Sequence, residues 1–296
     1  MTQWPGGGGR KKKRRFFRDA TKGQKSRAGY IGDYAKSRRA AQEMRRLYYA
    51  EETPAMSPAA AQPAPSPVPE AMPDPAVLEK VPYPQNLNAT VQPKFQALQQ
   101  KNGDVVGWLK IGTSLDEAVV QRDNVYYLTR DWQEQKNSNG ALFMDQETEW
   151  ATRPYTLMIY GHNMKSGAMF GRLRSFEKHE YYQNHAIITF DSAYEDGRYV
   201  VLAVGTYSLN SEDPHFLNLS NLASGAVALR AEEIERLMAG AWLSSPVDVQ
   251  AKDQLLLLIT CVDDEQERRI LTARRVREGE EEAALVAAIR EKYAFE

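Results

Sequence analysis

From residue 105 to residue 276 the chain is broken into short apolar or alternating runs, each closed within a few residues by Gly, Asn or Asp, and this punctuation limits the fold more than any other feature. Runs of about four to eight residues are strand-sized and too short for core helices. Strands are therefore predicted at 105–111, 118–120, 126–128, 140–144, 156–160, 186–190, 199–207, 254–261 and 268–276. So many short strands, with no internal repeat, predict a mainly β fold closed or nearly closed into a barrel. Helical spacing interrupts the pattern near residue 95 (PKFQALQQ), at 169–176, where Met169, Leu173 and Phe176 share a face, and at 230–242, where Ile234, Leu237, Met238 and Ala241 do.

The N-terminal part differs in kind. Residues 1–46 hold 15 Lys/Arg against Asp19, Asp33 and Glu43, whereas residues 47–296 hold 23 Lys/Arg against 36 Asp/Glu, so a net charge of −1 conceals a basic arm on an acidic body. Residues 1–30 have too little apolar content to offset the entropy of ordering and are expected to be disordered. The segment 33–50 carries Tyr34, Ala41, Met44, Leu47 and Tyr48 toward one side and arginines elsewhere, the pattern of a basic amphipathic helix. Residues 10–48 are accordingly a candidate contact for an anionic membrane surface, the alternative being a solvated helical linker. Residues 53–75 are Pro/Ala-rich without period, which favours an extended spacer. The expected organisation is thus an arm at 1–52, a linker at 53–84 and a folded domain at 85–296.

No run approaches the roughly 18 apolar residues that span a bilayer, and the basic stretch 10–15 is followed by Phe16-Phe17-Arg18-Asp19 rather than by the apolar core of a signal peptide. Neither an anchor nor a leader is expected within the sequence. There are no spaced Cys/His sets, the acidic Asp263-Asp264-Glu265 lacks the rest of a calcium loop, and glycines 6–9 lack the strand and helix of a phosphate cradle. No metal, cofactor or nucleic-acid partner is expected.

One cysteine, Cys261, excludes an internal disulfide and leaves a thiol that is structural, reactive or incidental. It ends the apolar run LLLLITC and meets a polar loop, which puts it at the mouth of a barrel. His162 likewise follows a buried run, TLMIYG, whereas His179, His185 and His215 lie in polar surroundings. A thiol attacks as thiolate and needs an imidazole or guanidinium nearby. After a loop of six residues from the cysteine a new strand opens on Arg268-Arg269, and strand alternation sends these two to opposite faces. One of them can enter the cleft and stabilise an oxyanion while the other stays in solvent.

These segments together resemble the class B sortases. NGDVVGWLKIGTSLDEAVVQRDNVYYL (102–128) looks like the family's opening strands, GALFMD (140–145) like the next, TLMIYGHNMKSGAMFGRL (156–173) like its histidine segment, and LLLLITC with RRILTARRV like its cysteine and arginine strands. The resemblance runs from about residue 95 to 277 in a single order. It implies a closed barrel of about eight strands and a cysteine transpeptidase in which Cys261 is the nucleophile and His162 the acid/base. The family's arginine stands five residues before the small residue of its strand, which from Ala273 selects Arg268, with Arg269 as the alternative; Asn124, Tyr160, Thr260 and Arg269 are implied as substrate contacts. Implied partners are surface proteins bearing a C-terminal sorting signal and an amine on peptidoglycan precursor or a pilin. The implied location is the cell envelope, at the outer face of the cytoplasmic membrane. A cysteine endopeptidase using water, or a catalytically silent barrel that binds wall peptide, are the alternative functions. Ile259, where relatives often carry serine, and Glu117-Ala118, in place of a Tyr-Pro, depart from the pattern.

Overall fold

The computed structural model describes residues 27–50, 76–81, 90–261 and 267–294. In chain order these form α1 (Arg27–Tyr49), α2 (Pro93–Lys101), β1 (Val105–Ile111), β2 (Leu115–Val120), β3 (Leu142–Met144), β4 (Thr156–Tyr160), α3 (His179–Asn184), β5 (Ile187–Ser192), β6 (Arg198–Ser208), α4 (Leu219–Ala223), α5 (Val227–Ala239), β7 (Ala241–Ser244), β8 (Leu255–Cys261), β9 (Glu267–Arg275) and α6 (Glu282–Lys292). Turns of 3-10 helix occupy Tyr126–Leu128 and Phe170–Glu177.

Eight strands close a ring in the order β5-β1-β2-β3-β4-β8-β9-β6, with β6 returning to β5. β2–β3 and β4–β8 run parallel and the other pairs antiparallel. The long strand β6 carries β9 along one side and, on the other, β5 at its start and the short β7 beyond it. Strand alternation sorts the side chains of the central strands. Leu157, Ile159, Leu256, Leu258, Leu271 and Ala273 enter the barrel core, whereas Met158, Leu255, Leu257, Ile259 and Ile270 form an outer cluster with Ile234 and Leu237 of α5. β8 is thus covered on both faces, which is why it reads as an unbroken apolar run rather than an alternating one.

α5 is held by a charge rather than by apolar contact alone. The Arg230 guanidinium is fully buried and donates to the carbonyls of Leu222, Tyr155, Ala251 and Asp253 and to Thr156 Oγ1, tying the helix to β4 and to the approach of β8. Burial lowers its pKa to about 10, so it remains charged at neutral pH. Arg230→Met is expected to strand these carbonyls and cost about 3 kcal/mol. A lower urea midpoint at unchanged slope checks this, and an unchanged midpoint would show that the carbonyls find other partners.

Several expectations change. Residues 126–128 are a 3-10 turn, not a strand, because Asp123 Oδ1 accepts from the backbone N–H groups of Val125 and Tyr126 and winds the chain, although Tyr127 and Leu128 are buried as a strand's would be. The helix expected at 230–242 spans Val227–Ala239, and Gly240 ends it so that Ala241 and Trp242 begin β7. α1 is neither a solvated linker nor free to turn its apolar side to a membrane. Ala40, Ala41, Met44 and Tyr48 are buried against the barrel, and Tyr48 stacks on Trp108 with ring centroids 4.1 Å apart. Arg45 pairs with Asp116 and Glu117, and burial pushes the Glu117 carboxyl up to about 7 against the opposing pull of Arg45. Residues 76–81 of the expected linker also run along the body, with Leu78 N–H donating to Gly225 O and Tyr155 O–H to Leu78 O. Of the disorder expected over 1–30, residues 27–30 instead open α1, while residues 1–26 and the spacer at 53–75 lie outside the described residues. Among the described residues no helix is long and apolar enough to cross a membrane.

Candidate active site

The sheet register brings the nominated residues to one rim. In the parallel pair β4–β8, Tyr160 lies opposite Ile259, and the Gly161 N–H continues the ladder onto Ile259 O at 3.2 Å, so His162 leaves β4 beside the end of β8. In the antiparallel pair β8–β9, Cys261 and Arg268 are direct partners. Three neighbouring strand ends therefore carry His162, Cys261 and Arg268 in a row, with adjacent strands about 4.8 Å apart.

His162 is held from two sides. Its Nε2 lies 2.7 Å from Leu128 O, and since a carbonyl only accepts, Nε2–H donates and the neutral ring keeps Nδ1 free of a proton. Met164 N and Phe170 N both donate to His162 O, pinning its backbone. Burial holds the imidazole below its usual pKa, the Leu128 carbonyl opposing, so the ring is neutral at pH 7. On its Cδ2 edge lies Gly140, at φ +63°, where an added Cβ would stand 2.6 Å from Tyr127 O and 3.1 Å from His162 Cδ2. Gly140→Ala is expected to cost about 1–3 kcal/mol through backbone strain and to displace the imidazole. Its test is a thermal melt paired with turnover, both of which should fall.

Residues 112–276 match the sortase domain family over more than half of the chain. The chain belongs to the sortase family. Its similarity is to class B: it is 30% identical over 190 residues to sortase B of Staphylococcus aureus, covering 63% of this chain and 75% of that protein, and 29% identical over 183 residues to sortase B of Listeria monocytogenes, covering 60% and 70%. The solved sortase B of Bacillus anthracis shares the fold at a TM-score of 0.63 and 23% identity, over 84% of this chain and 100% of that one. As a class B sortase the protein is a cysteine transpeptidase, of a family that works at the cell envelope on proteins bearing sorting signals.

The further residues that the resemblance implied for this sortase divide between the two faces of the sheet. Tyr160 and Asn124 meet at one acid: Tyr160 O–H donates to Asp145 Oδ2 at 3.0 Å and Asn124 Nδ2 to the same oxygen at 3.2 Å. Burial, then Asp145, pushes the Tyr160 phenol well up, with Arg268 close enough to oppose, so Tyr160 stays a neutral donor beside the rim. Asp145, which closes the segment GALFMD, escaped notice because an acid at a strand end looks like any turn residue.

Thr260 and Arg269 are partners of each other and belong to the other face. Arg269 alternates with Leu271 and Ala273 of the barrel core, is only 16% exposed and reaches Glu177 at 3.4 Å, so it is not the solvent-facing neighbour that a charged strand start suggested. Thr260 is buried, and neither its Oγ1 nor the Arg269 Nε has a hydrogen-bond partner among the described residues. Arg268 alternates instead with Ile270 of the outer cluster, on the Tyr160 side, and its Nη1 donates to Glu267 O at 2.8 Å.

Proposed function

We propose that Cys261, His162 and Arg268 are the catalytic residues of this sortase. What carries the reading is their placement in one row across β4, β8 and β9. Directly opposed positions of an antiparallel pair share a face with Cβ atoms about 4.5–5.5 Å apart, which supports a guanidinium at 268 serving a nucleophile at 261. The Cys261 thiolate attacks the carbonyl carbon of the scissile peptide bond at a C-terminal sorting motif. Arg268 compensates the charge that develops on the carbonyl oxygen. His162, neutral at rest, becomes imidazolium by taking the Cys261 thiol proton, then gives that proton to the departing amine nitrogen and leaves a thioacyl enzyme. An incoming amine on peptidoglycan precursor or a pilin then attacks the thioester, loses its proton to His162 and releases Cys261, which gives ping-pong kinetics.

The Tyr160–Asp145–Asn124 cluster borders the same outer face and is a substrate contact in this reading. The enzyme works at the outer face of the cytoplasmic membrane, where the exposed Lys36, Arg38, Arg39 and Arg46 of α1 face anionic headgroups.

The test is incubation of the chain with a panel of fluorogenic sorting-motif peptides and an amine acceptor, with product analysis by mass. An amine-capped product supports transpeptidation, a hydrolysed product alone favours the endopeptidase alternative, and no turnover of any peptide by folded protein sinks the reading.

A further inference from the structure

The helix that precedes the barrel reaches the histidine through a continuous set of hydrogen bonds. The chain between the 3-10 turn and β3 doubles back on itself: Asn137 N–H donates to Thr129 O at 2.9 Å, Ala141 N–H to Tyr127 O at 3.0 Å, and Arg130 bridges Lys136. At its base are the two groups that seat His162, the Leu128 carbonyl on Nε2 and Gly140 against the ring. At its far end are Asn137, Ser138 and Asn139, and these are held by α1. Ser37 Oγ accepts from Asn137 Nδ2 at 2.9 Å and from Asn139 Nδ2 at 3.0 Å. Asp33 Oδ2 accepts from the Ser138 hydroxyl at 2.7 Å and from its backbone N–H at 3.2 Å. Trp132, within the doubled segment, donates its indole N–H to the Ala40 carbonyl at 3.1 Å.

A doubled loop without a strand partner is ordinarily among the softer parts of a barrel. Here Asn137 and Asn139 are buried, and their side chains meet α1 as well as the loop itself. We infer that Ser37 and Asp33 are positioning residues for catalysis: by fixing the 127–141 loop, α1 fixes the Leu128 carbonyl and thereby the orientation of the His162 imidazole. They touch neither substrate nor reacting atoms and act only through that loop. The inference rests on His162 being the acid/base. Its energetic logic is that a misplacement of about 1 Å at a reacting group costs on the order of 10²-fold in rate, so a loop released at its far end loses activity while the barrel stays folded.

The experiment compares the full chain with Ser37→Ala/Asp33→Ala, Ser37→Thr and His162→Gln, using a turned-over sorting peptide with an amine acceptor, well below each melting temperature. The double variant is expected to lose about 10- to 100-fold in kcat with KM changed less than about twofold, and Ser37→Thr, which keeps the hydroxyl, to restore kcat. Nitrogen-15 NMR of labelled histidine should show His162 passing from a single Nε2–H tautomer to an averaged pair. Wild-type kcat and a wild-type tautomer signal in the folded double variant would overturn the proposal. So would a fall in kcat with the tautomer signal unmoved, which denotes general loosening. Retained activity in His162→Gln would overturn the catalytic reading beneath it, and that outcome is separate because the helix variants do not enter into it.

Discussion

Cys261→Ala and His162→Ala are each expected to lower turnover of a sorting peptide by at least about 10⁴- and 10²-fold respectively, while leaving the barrel folded. The difference in scale follows from the roles proposed for them. Without the thiol there is no thioacyl enzyme, and a mass shift on the protein after reaction with peptide in the absence of amine should vanish. Without the imidazole the adduct still forms, slowly, because water and bound substrate can deliver part of the proton transfer. Both positions lie at strand ends beyond the last core residues of β4 and β8, so the barrel core is left intact. Wild-type adduct formation by Cys261→Ala would place the nucleophile elsewhere.

Arg268→Ala should cost about 10²–10³-fold in kcat/KM, the scale of losing one preorganised oxyanion donor, and Arg269→Ala far less. The comparison is sharp because the two are sequence neighbours on one strand and differ chiefly in face. Arg268 opposes Cys261 and influences the Tyr160 phenol, whereas Arg269 opposes Thr260 and pairs with Glu177 at the barrel's end. Arg268→Lys should recover little, since an ammonium offers no planar pair of donors to an acyl oxygen. Arg269→Ala should appear instead as a modest loss in thermal midpoint, from the interior packing of its stem. An inverted result, with the large kinetic loss at 269, would reassign the cation and with it the face on which the peptide lies.

The strands were legible because periodicity and turn residues are local signals, and β8 was the plainest because an unbroken apolar run records burial on both sides. What misled was equally local. Tyr126–Leu128 has strand-forming residues, but the side chain of Asp123 takes the backbone donors first. α6 went unmarked although Glu282 in its first turn and Arg290 and Lys292 in its last match the helix dipole, because its Ala-rich body carries little contrast between faces. That Cys261 and His162 stand at strand ends could be read from the sequence. The Leu128 carbonyl that orients the imidazole could not, since a backbone oxygen has no signature in a sequence. The amphipathic pattern of α1 was visible too, yet such a pattern says only that a surface is covered, not which one; the stack of Tyr48 on Trp108 and the Arg45 pairs decide for the barrel.

Ring closure has a consequence for how a peptide is captured. A protein with an open sheet can seize an extended chain by lending it a free row of amides and carbonyls, which recognises any sequence of the right shape. Here the two strands that carry Cys261 and Arg268 are flanked by β4 and β6, and over the paired positions, which on the β4 side of β8 run to Ile259, their main-chain groups are spent on their neighbours. Along those paired positions a visiting peptide finds no vacant rung. In the proposed reading it is recognised by side chains standing on the sheet, and such a reader discriminates residue by residue, as an enzyme must if it is to cut one short stretch near the end of a long protein and ignore the rest.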